Sequence, residues 1–293
     1  MTAVKLLAVL ALVAMAAAGC SQSSPADAGA PVLSVATGLY PLAQAIEQIG
    51  QDKVSVTDVV PAGSDPTTFS LGPAQADQVR RAGLVVEIGG GFQPALEQAA
   101  LGAPDVLQLR ARLGTASPYV WLDPNTMQKA VDLMAAAMEA ADPPAAGLFR
   151  QGAQAFDASV QSTGIDYEST LSACPRAIIF TADSAFAPMA GDYGLRDVAV
   201  GSSAAPSLTA VRDAALSVQA MGATTVFSEP WQPAGTVQAV AAAAGVKVRL
   251  LDTLEGPPPA GWPRQADYIK LMESNLGALS SALGCPNTAT GND

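Results

Sequence analysis

Apolar positions along the chain change period several times, and those changes mark out its elements. Residues 32–36 form a short run of strand character, and Leu39, Leu42, Ile46 and Ile49 then recur at helical spacing across 38–49. Residues 54–60 alternate as a strand and stop at Pro61-Ala62-Gly63. Residues 72–82 read as a polar helix with Pro73 near its first turn, and 84–88 as a short buried strand closed by Gly89-Gly90-Gly91. Strand, helix, strand, helix, strand predicts a parallel sheet with helices on its faces.

Residues 125–140 are rich in Ala and Met and helical, and Asp142-Pro143-Pro144 stops them. Residues 145–171 predict a second, longer helix with Leu148, Phe149, Phe156, Val160 and Leu171 as its apolar positions, weakened locally by Gly152 and Gly164. At 1.5 Å per residue it extends about 40 Å, enough to run down a whole domain. Strand character returns at 176–181, 224–227 and 246–251, and helical character at 185–193, 207–221 and 234–244. Residues 256–263 are Pro- and Gly-rich and read as a loop. Residues 265–283 close the pattern as an amphipathic helix with Tyr268, Ile269, Met272, Leu276, Leu279 and Leu283 on one face. The expected fold class is therefore α/β: two Rossmann-like lobes with parallel sheets, joined by a long rigid helix, with a ligand cleft between them. The lobes are expected at 32–124 and 173–285, the helical bridge at 125–172 and a tail at 286–293.

Ahead of these elements, Lys5 and the apolar run 6–18 have the form of a signal peptide, because the run is too short to span a bilayer. Ala17-Ala18-Gly19-Cys20 resembles the lipobox of bacterial lipoproteins, which predicts cleavage after residue 19 and a diacylglycerol on Cys20. An ordinary secretory signal with an incidental cysteine is the alternative. Residues 20–31 are small and polar, as a flexible tether requires. No second apolar run is long enough to cross a membrane. The expected place is the cell envelope, lipid-anchored on the outer face of the cytoplasmic membrane, with the protein a monomer.

The formal charge is −11, and losing Lys5 with the signal makes it one unit more negative. That argues against nucleic-acid binding and against a polybasic membrane contact. With Cys20 lipidated, Cys174 and Cys285 remain. In an oxidising compartment they read as a disulfide, with two separate buried thiols as the other reading.

The 293 residues contain no histidine. Ser-His-Asp and Cys-His catalysis are thereby excluded, as are imidazole-ligated zinc sites. Asp183 and Asp252 could face each other as a carboxylate pair, but former site residues held by hydrogen bonds are the simpler reading, and no enzyme is expected. Gly89-Gly90-Gly91 lacks the Gly-Lys-Ser/Thr ending of a phosphate loop and reads as a tight turn. Lys247 has no matching serine motif. Trp121 is expected in the core, Trp231 is the better candidate for lining a cleft, and Trp262 falls in the Pro- and Gly-rich loop.

Several stretches together resemble the zinc/manganese-type solute-binding lipoproteins of ABC transporters. They are GLYPLAQAIEQIG (38–50), VVPAGSDPTTFSLGPAQADQVRRAGLVVEIGGGF (59–92), SPYVWLDPNTMQKAVDLMAAAMEAADP (117–143), FTADSAFAPMAGDYGL (180–195), VFSEPWQPAGTVQAVAAAAGVKVRLLDTL (226–254) and ADYIKLMESNLGALSSAL (266–283). Their order is kept over nearly the whole chain. The resemblance implies a metal site built from four cleft loops, and ABC permease and ATPase subunits as partners. It places that site at Thr67, Tyr119, Asp183 and Asp252. The family carries a histidine at the first two of these positions and histidine or glutamate at the third, so only Asp252 keeps the usual residue type. Glu229 in Phe-Ser-Glu-Pro either adds a carboxylate or serves as a structural hydrogen-bond acceptor. Zinc prefers nitrogen and sulfur. This oxygen-only set suits harder ions but offers few donors, so a divalent cation is the only cofactor-like species expected, and its binding is in doubt. A lipoprotein that keeps the fold and has lost the ligand, acting as an envelope accessory subunit, is the alternative.

Overall fold

The computed structural model describes residues 32–256 and 267–286. The expected signal segment, Cys20, the tether, Trp262 and the tail from residue 287 lie outside the described residues. The first sheet contains β1 (Leu33–Thr37), β2 (Val54–Asp58), β3 (Leu84–Glu87) and β4 (Val106–Gln108), all parallel and in the order β2-β1-β3-β4. The connections are α1 (Tyr40–Gly50), α2 (Pro73–Arg81) and α3 (Pro94–Ala100). Side-chain alternation sends Val35, Leu84 and Val86 to the inner face, with Leu39, Leu42 and Ile46 at the start and along the face of α1. Ala36 and Val85 point to the outer face, where Val79 of α2 and Leu96 of α3 cover them. β3 is buried on both sides, which is why it reads as a continuous run.

After α4 (Leu109–Leu113) come α5 (Pro124–Ala141) and α6 (Ala146–Leu171), which pack on each other through a turn at Pro143–Ala145. Asp123 caps α5 by accepting from the Asn125 and Thr126 N–H groups. The remaining elements are β5 (Ile178–Thr181), α7 (Ala187–Asp192), β6 (Arg196–Ala199), α8 (Leu208–Ala220), β7 (Thr225–Ser228), α9 (Gly235–Ala244), β8 (Lys247–Leu250) and α10 (Tyr268–Leu283). β5 pairs with β6 and β7 with β8, both parallel, and β5 lies beside β7. The outer side of these strands is covered by α8 and α9 through Val211, Val218, Val237 and Val240.

One apolar core joins the first sheet to the two strand pairs. It runs from Val35 and Leu84 through Trp121, Met127, Phe149, Phe156 and Tyr167 to Phe227, Leu251, Tyr268 and Met272. α1, α5, α6 and α10 thus form a central layer between the first sheet and the strand pairs. α6 passes so close to α1 that a Cβ at Gly152 would lie 2.2 Å from the Ile49 carbonyl oxygen, so the glycine that weakens the helix is what lets the two backbones approach. Three buried hydrogen bonds tie the layer together: Tyr167 Oη to the Met272 carbonyl at 2.8 Å, Tyr268 Oη to the Trp121 carbonyl at 2.7 Å, and Trp121 Nε1 to the Thr253 carbonyl at 2.7 Å.

The pattern-based expectation differs from the structure in two ways. Leu148, expected on the buried stripe of α6, is exposed, because the buried face follows Phe149, Gly152, Ala153 and Phe156. α3, α4, β4 and β6 are short elements of three to seven residues, below the length at which periodicity is readable. Cys174 and Cys285 are disulfide-bonded, which decides between the two cysteine readings.

Candidate functional site

In the first sheet the chain order reverses between β1 and β3, the place where open α/β sheets leave a crevice at their carboxyl ends. The segments that follow the strands supply the polar residues. Thr67 follows β2, Tyr119 follows α4, Asp183 follows β5, Glu229 follows β7, and Asp252 and Glu255 follow β8.

Each expected site residue has its own surroundings. Thr67 folds into a local turn, its N–H and its Oγ1 both donating to Asp65 Oδ1 at 2.9 and 2.7 Å. Gln93, 3% exposed, holds this loop against β1 by donating to the carbonyls of Gly38 and Pro66. Tyr119 packs edge-on against Phe92 and Trp121, with ring centroids 5.6 Å away in both cases. Its phenol is pushed up from its ordinary value by burial first and then by Glu255, Asp183, Glu229 and Asp65, so it stays neutral. Asp183 accepts from the Ala185 N–H at 2.8 Å and from Gln232 Nε2 at 3.1 Å. Glu229 is 4% exposed, and its Oε1 accepts from the Ala182 and Asp183 N–H groups at 2.9 and 3.2 Å. This is the structural role foreseen as one of its two readings. Asp252 is clamped through its main chain, its N–H donating to Asn275 Oδ1 at 2.9 Å and its carbonyl accepting from Asn275 Nδ2 at 2.7 Å. Its carboxylate accepts from the Leu254 N–H at 2.8 Å.

Glu229 is thus tied to the Asp183 segment through the Asp183 N–H, while Asp252 is held by Asn275 and the Leu254 N–H. Glu229 Oε2 is buried without a hydrogen-bond partner. Burial and the Asp183 charge push the Glu229 carboxyl up to about 8, against the pull of its two N–H partners. Glu255 is also pushed up to about 8, by burial first and then by Asp65, Asp183, Glu229 and Asp252. Asp65 and Glu255 are absent from the sequence-based set. Trp231 is half-buried; its ring would collide with a Cβ at Gly256, and its Nε1 is buried without a partner. Trp121 is fully buried, as expected of a core residue. Gly89, Gly90 and Gly91 all have positive φ, which makes the turn and leaves no Lys-Ser/Thr phosphate grip. An open groove of about 410 Å³ is lined by Tyr119, Pro118, Asp183 and Ala185.

What the arrangement can do follows from these contacts. It gathers acids and oxygen donors around one aromatic cluster. Among the described residues, no group of three or more Asp, Glu or Cys side chains stands in a position to hold a metal ion. Burial, with the neighbouring acids second, instead raises the proton affinity of Glu229 and Glu255. The Glu255 carboxyl titrates higher folded than its usual 4.5, so its contribution to stability is complete below that value and disappears as pH rises through about 8. The melting temperature is therefore expected to fall between pH 5 and pH 9. Glu255→Gln is expected to recover roughly 5 °C at pH 9, as read by calorimetry. A flat profile in the unsubstituted protein would contradict the clustering of charge.

Comparisons with known proteins match this architecture. The Zn(II)-bound ZnuA-like domain of Streptococcus pneumoniae AdcA superposes with a TM-score of 0.77 at 23% identity, covering 86% of this chain and 99% of that one. The periplasmic zinc-binding protein TroA of Treponema pallidum gives a TM-score of 0.77 at 18% identity, covering 86% of this chain and 99% of that one. The fold is that of these binding proteins, and the family match that follows makes the chain a solute-binding protein of the kind that serves a transporter, not an enzyme. The family model described as "Zinc-uptake complex component A periplasmic" matches residues 35–282, and the chain belongs to that family. The high-affinity zinc uptake system protein ZnuA of Bacillus subtilis is 24% identical over 94% of this chain and 97% of its own length. The zinc-binding lipoprotein AdcA of Streptococcus pneumoniae strain R6 is 23% identical over 93% of this chain and 60% of its own length.

Proposed function

We propose that this chain is the extracytoplasmic solute-binding lipoprotein of an ABC-type importer, anchored through Cys20 and delivering a cationic solute to its permease and ATPase subunits. The observation that carries the reading is the family match over residues 35–282, together with Tyr119 and Asp183 lining one groove beside the strand ends. The solute is a divalent ion of the harder class, held weakly by oxygen donors, and zinc is not trapped tightly. Three arguments support this. Zinc favours imidazole and thiolate, and the chain contains no histidine. Thr67, Asp183 and Asp252 already have protein partners that an ion has to displace. A bound cation would also take the place of the protons that burial and neighbouring acids hold on Glu229 and Glu255.

The test is elemental analysis of purified mature protein, followed by titration with manganese, calcium, magnesium and zinc under calorimetry and thermal melting. A ligand at 100 times its dissociation constant adds about 2.7 kcal/mol, which a melt resolves. Stabilisation by manganese or calcium with zinc weaker than micromolar is expected. Nanomolar zinc would overturn the oxygen-site reading. No response to any ion would favour the accessory-subunit alternative.

A further inference from the structure

The outer face of the first sheet carries one residue that burial by itself does not explain. Along β3 the side chains alternate between faces, and after Val85 the next outer position is Glu87. It is 1% exposed on a face that otherwise buries valine, alanine and leucine. A carboxylate there needs compensation. Its cross-strand neighbour Gln108 donates from Nε2 to Glu87 Oε1 at 2.8 Å, and the two residues are in register. Glu87 Oε2 has no hydrogen-bond partner.

Glu87 lines a cavity of about 430 Å³ between α3, β4 and α4, where Ala111 and Arg112 form part of the wall. The cavity exists because α3 is only seven residues long, so it covers Val85 and leaves the outer side of the edge strand open. Its walls are apolar: Ala100, Leu101, Ala103 and Val106, with Leu101 79% and Val106 40% exposed. Glu97 lies on the same cavity, but its carboxylate is committed to the Gly91 and Gln93 N–H groups at 2.9 to 3.2 Å. Arg112 also lines the wall and, among the described residues, forms no ion pair.

We propose that this cavity is a second binding site, apart from the strand-end cleft, for the ammonium group of a small primary alkylamine. The ammonium donates to Glu87 Oε2, with the Glu97 carboxylate and Gln108 Oε1 as further acceptors for its three N–H bonds. The alkyl chain lies along Leu101 and Val106, which the fold leaves uncovered. A bare metal ion does not fit this donor set: two carboxylates, one of them already engaged, fall short of the six to eight oxygens a hard divalent ion requires. Burial and the neighbouring Glu97 raise the Glu87 carboxyl from its usual value, a strain that an ammonium removes.

The experiment is ligand-observed NMR and calorimetry on the whole mature protein with n-butylammonium. n-Butanol and butyrate serve as the neutral and anionic matches. Saturable binding of butylammonium is expected, with butanol and butyrate much weaker. Glu87→Gln is expected to weaken it about tenfold or more by removing a charged hydrogen bond. Ala111→Phe, a change at an exposed wall position that leaves the core untouched, is expected to block it sterically. No saturable binding, equal binding of butanol, preferred binding of butyrate at Arg112, or full retention in both variants would each overturn the proposal. So would loss in Asp183→Asn with retention in Glu87→Gln, which would assign the amine to the cleft.

Discussion

Combining Thr67→His, Tyr119→His and Asp183→His while keeping Asp252 is expected to tighten zinc binding by about 100-fold or more, near 3 kcal/mol, because three imidazoles and one carboxylate make the shell zinc favours. The backbone positions are already fixed: Asp65 and Gln93 hold the loop at 67, the aromatic cluster holds 119, and Asn275 clamps 252. Asp183→His also removes one acid from beside Glu229. Calorimetry of the unsubstituted and triply substituted proteins decides the matter. An unchanged zinc affinity would mean that these four positions do not converge on one ion.

Removing the disulfide with Cys174→Ser and Cys285→Ser together is expected to destabilise the protein by about 4–5 kcal/mol in the chain-entropy model, since the closed loop is long. The cysteines are 111 residues apart and follow the ends of α6 and α10, so the bond closes nearly the whole second half of the chain on itself. For a domain of this size the loss corresponds to a drop of about 10 °C or more in melting temperature. Scanning calorimetry of the double variant, and of the unsubstituted protein under reductant, measures it. A drop of a degree or two would show that the interlocked core, not the crosslink, limits unfolding.

Long, strongly patterned elements were legible in the sequence. α1, α5, α6 and α10 carry apolar stripes of three or more turns, and β3 and β5 carry dense buried runs. The short edge elements were not, because three residues such as Val106, Leu107 and Gln108 hold no period. The site was half legible. The resemblance picked out Thr67, Tyr119, Asp183 and Asp252, but Glu255 was missed because it lies three residues past Asp252. It is turned inward by a backbone reversal at Leu254, a non-glycine residue at φ 56° that no local pattern announces. Asn275 did leave a signal. It is a polar side chain in the apolar stripe of α10, between Leu271 and Leu279, and such a residue marks a buried hydrogen bond. Glu87 left the same mark at the end of an apolar strand.

The bond from Trp121 to the Thr253 carbonyl, with Tyr268 bonded in turn to Trp121, has a mechanical consequence. It rivets the floor beneath the strand-end loops to the central helices. Spreading the first sheet from the strand pairs would break buried hydrogen bonds and open the shared core, which opposes a wide clamshell motion. Capture and release are then expected to proceed through the outer loops, with loaded and empty forms of the same hydrodynamic size. A docking partner has to recognise loading from loop shape and the charge of the rim, not from a change in the outline of the molecule.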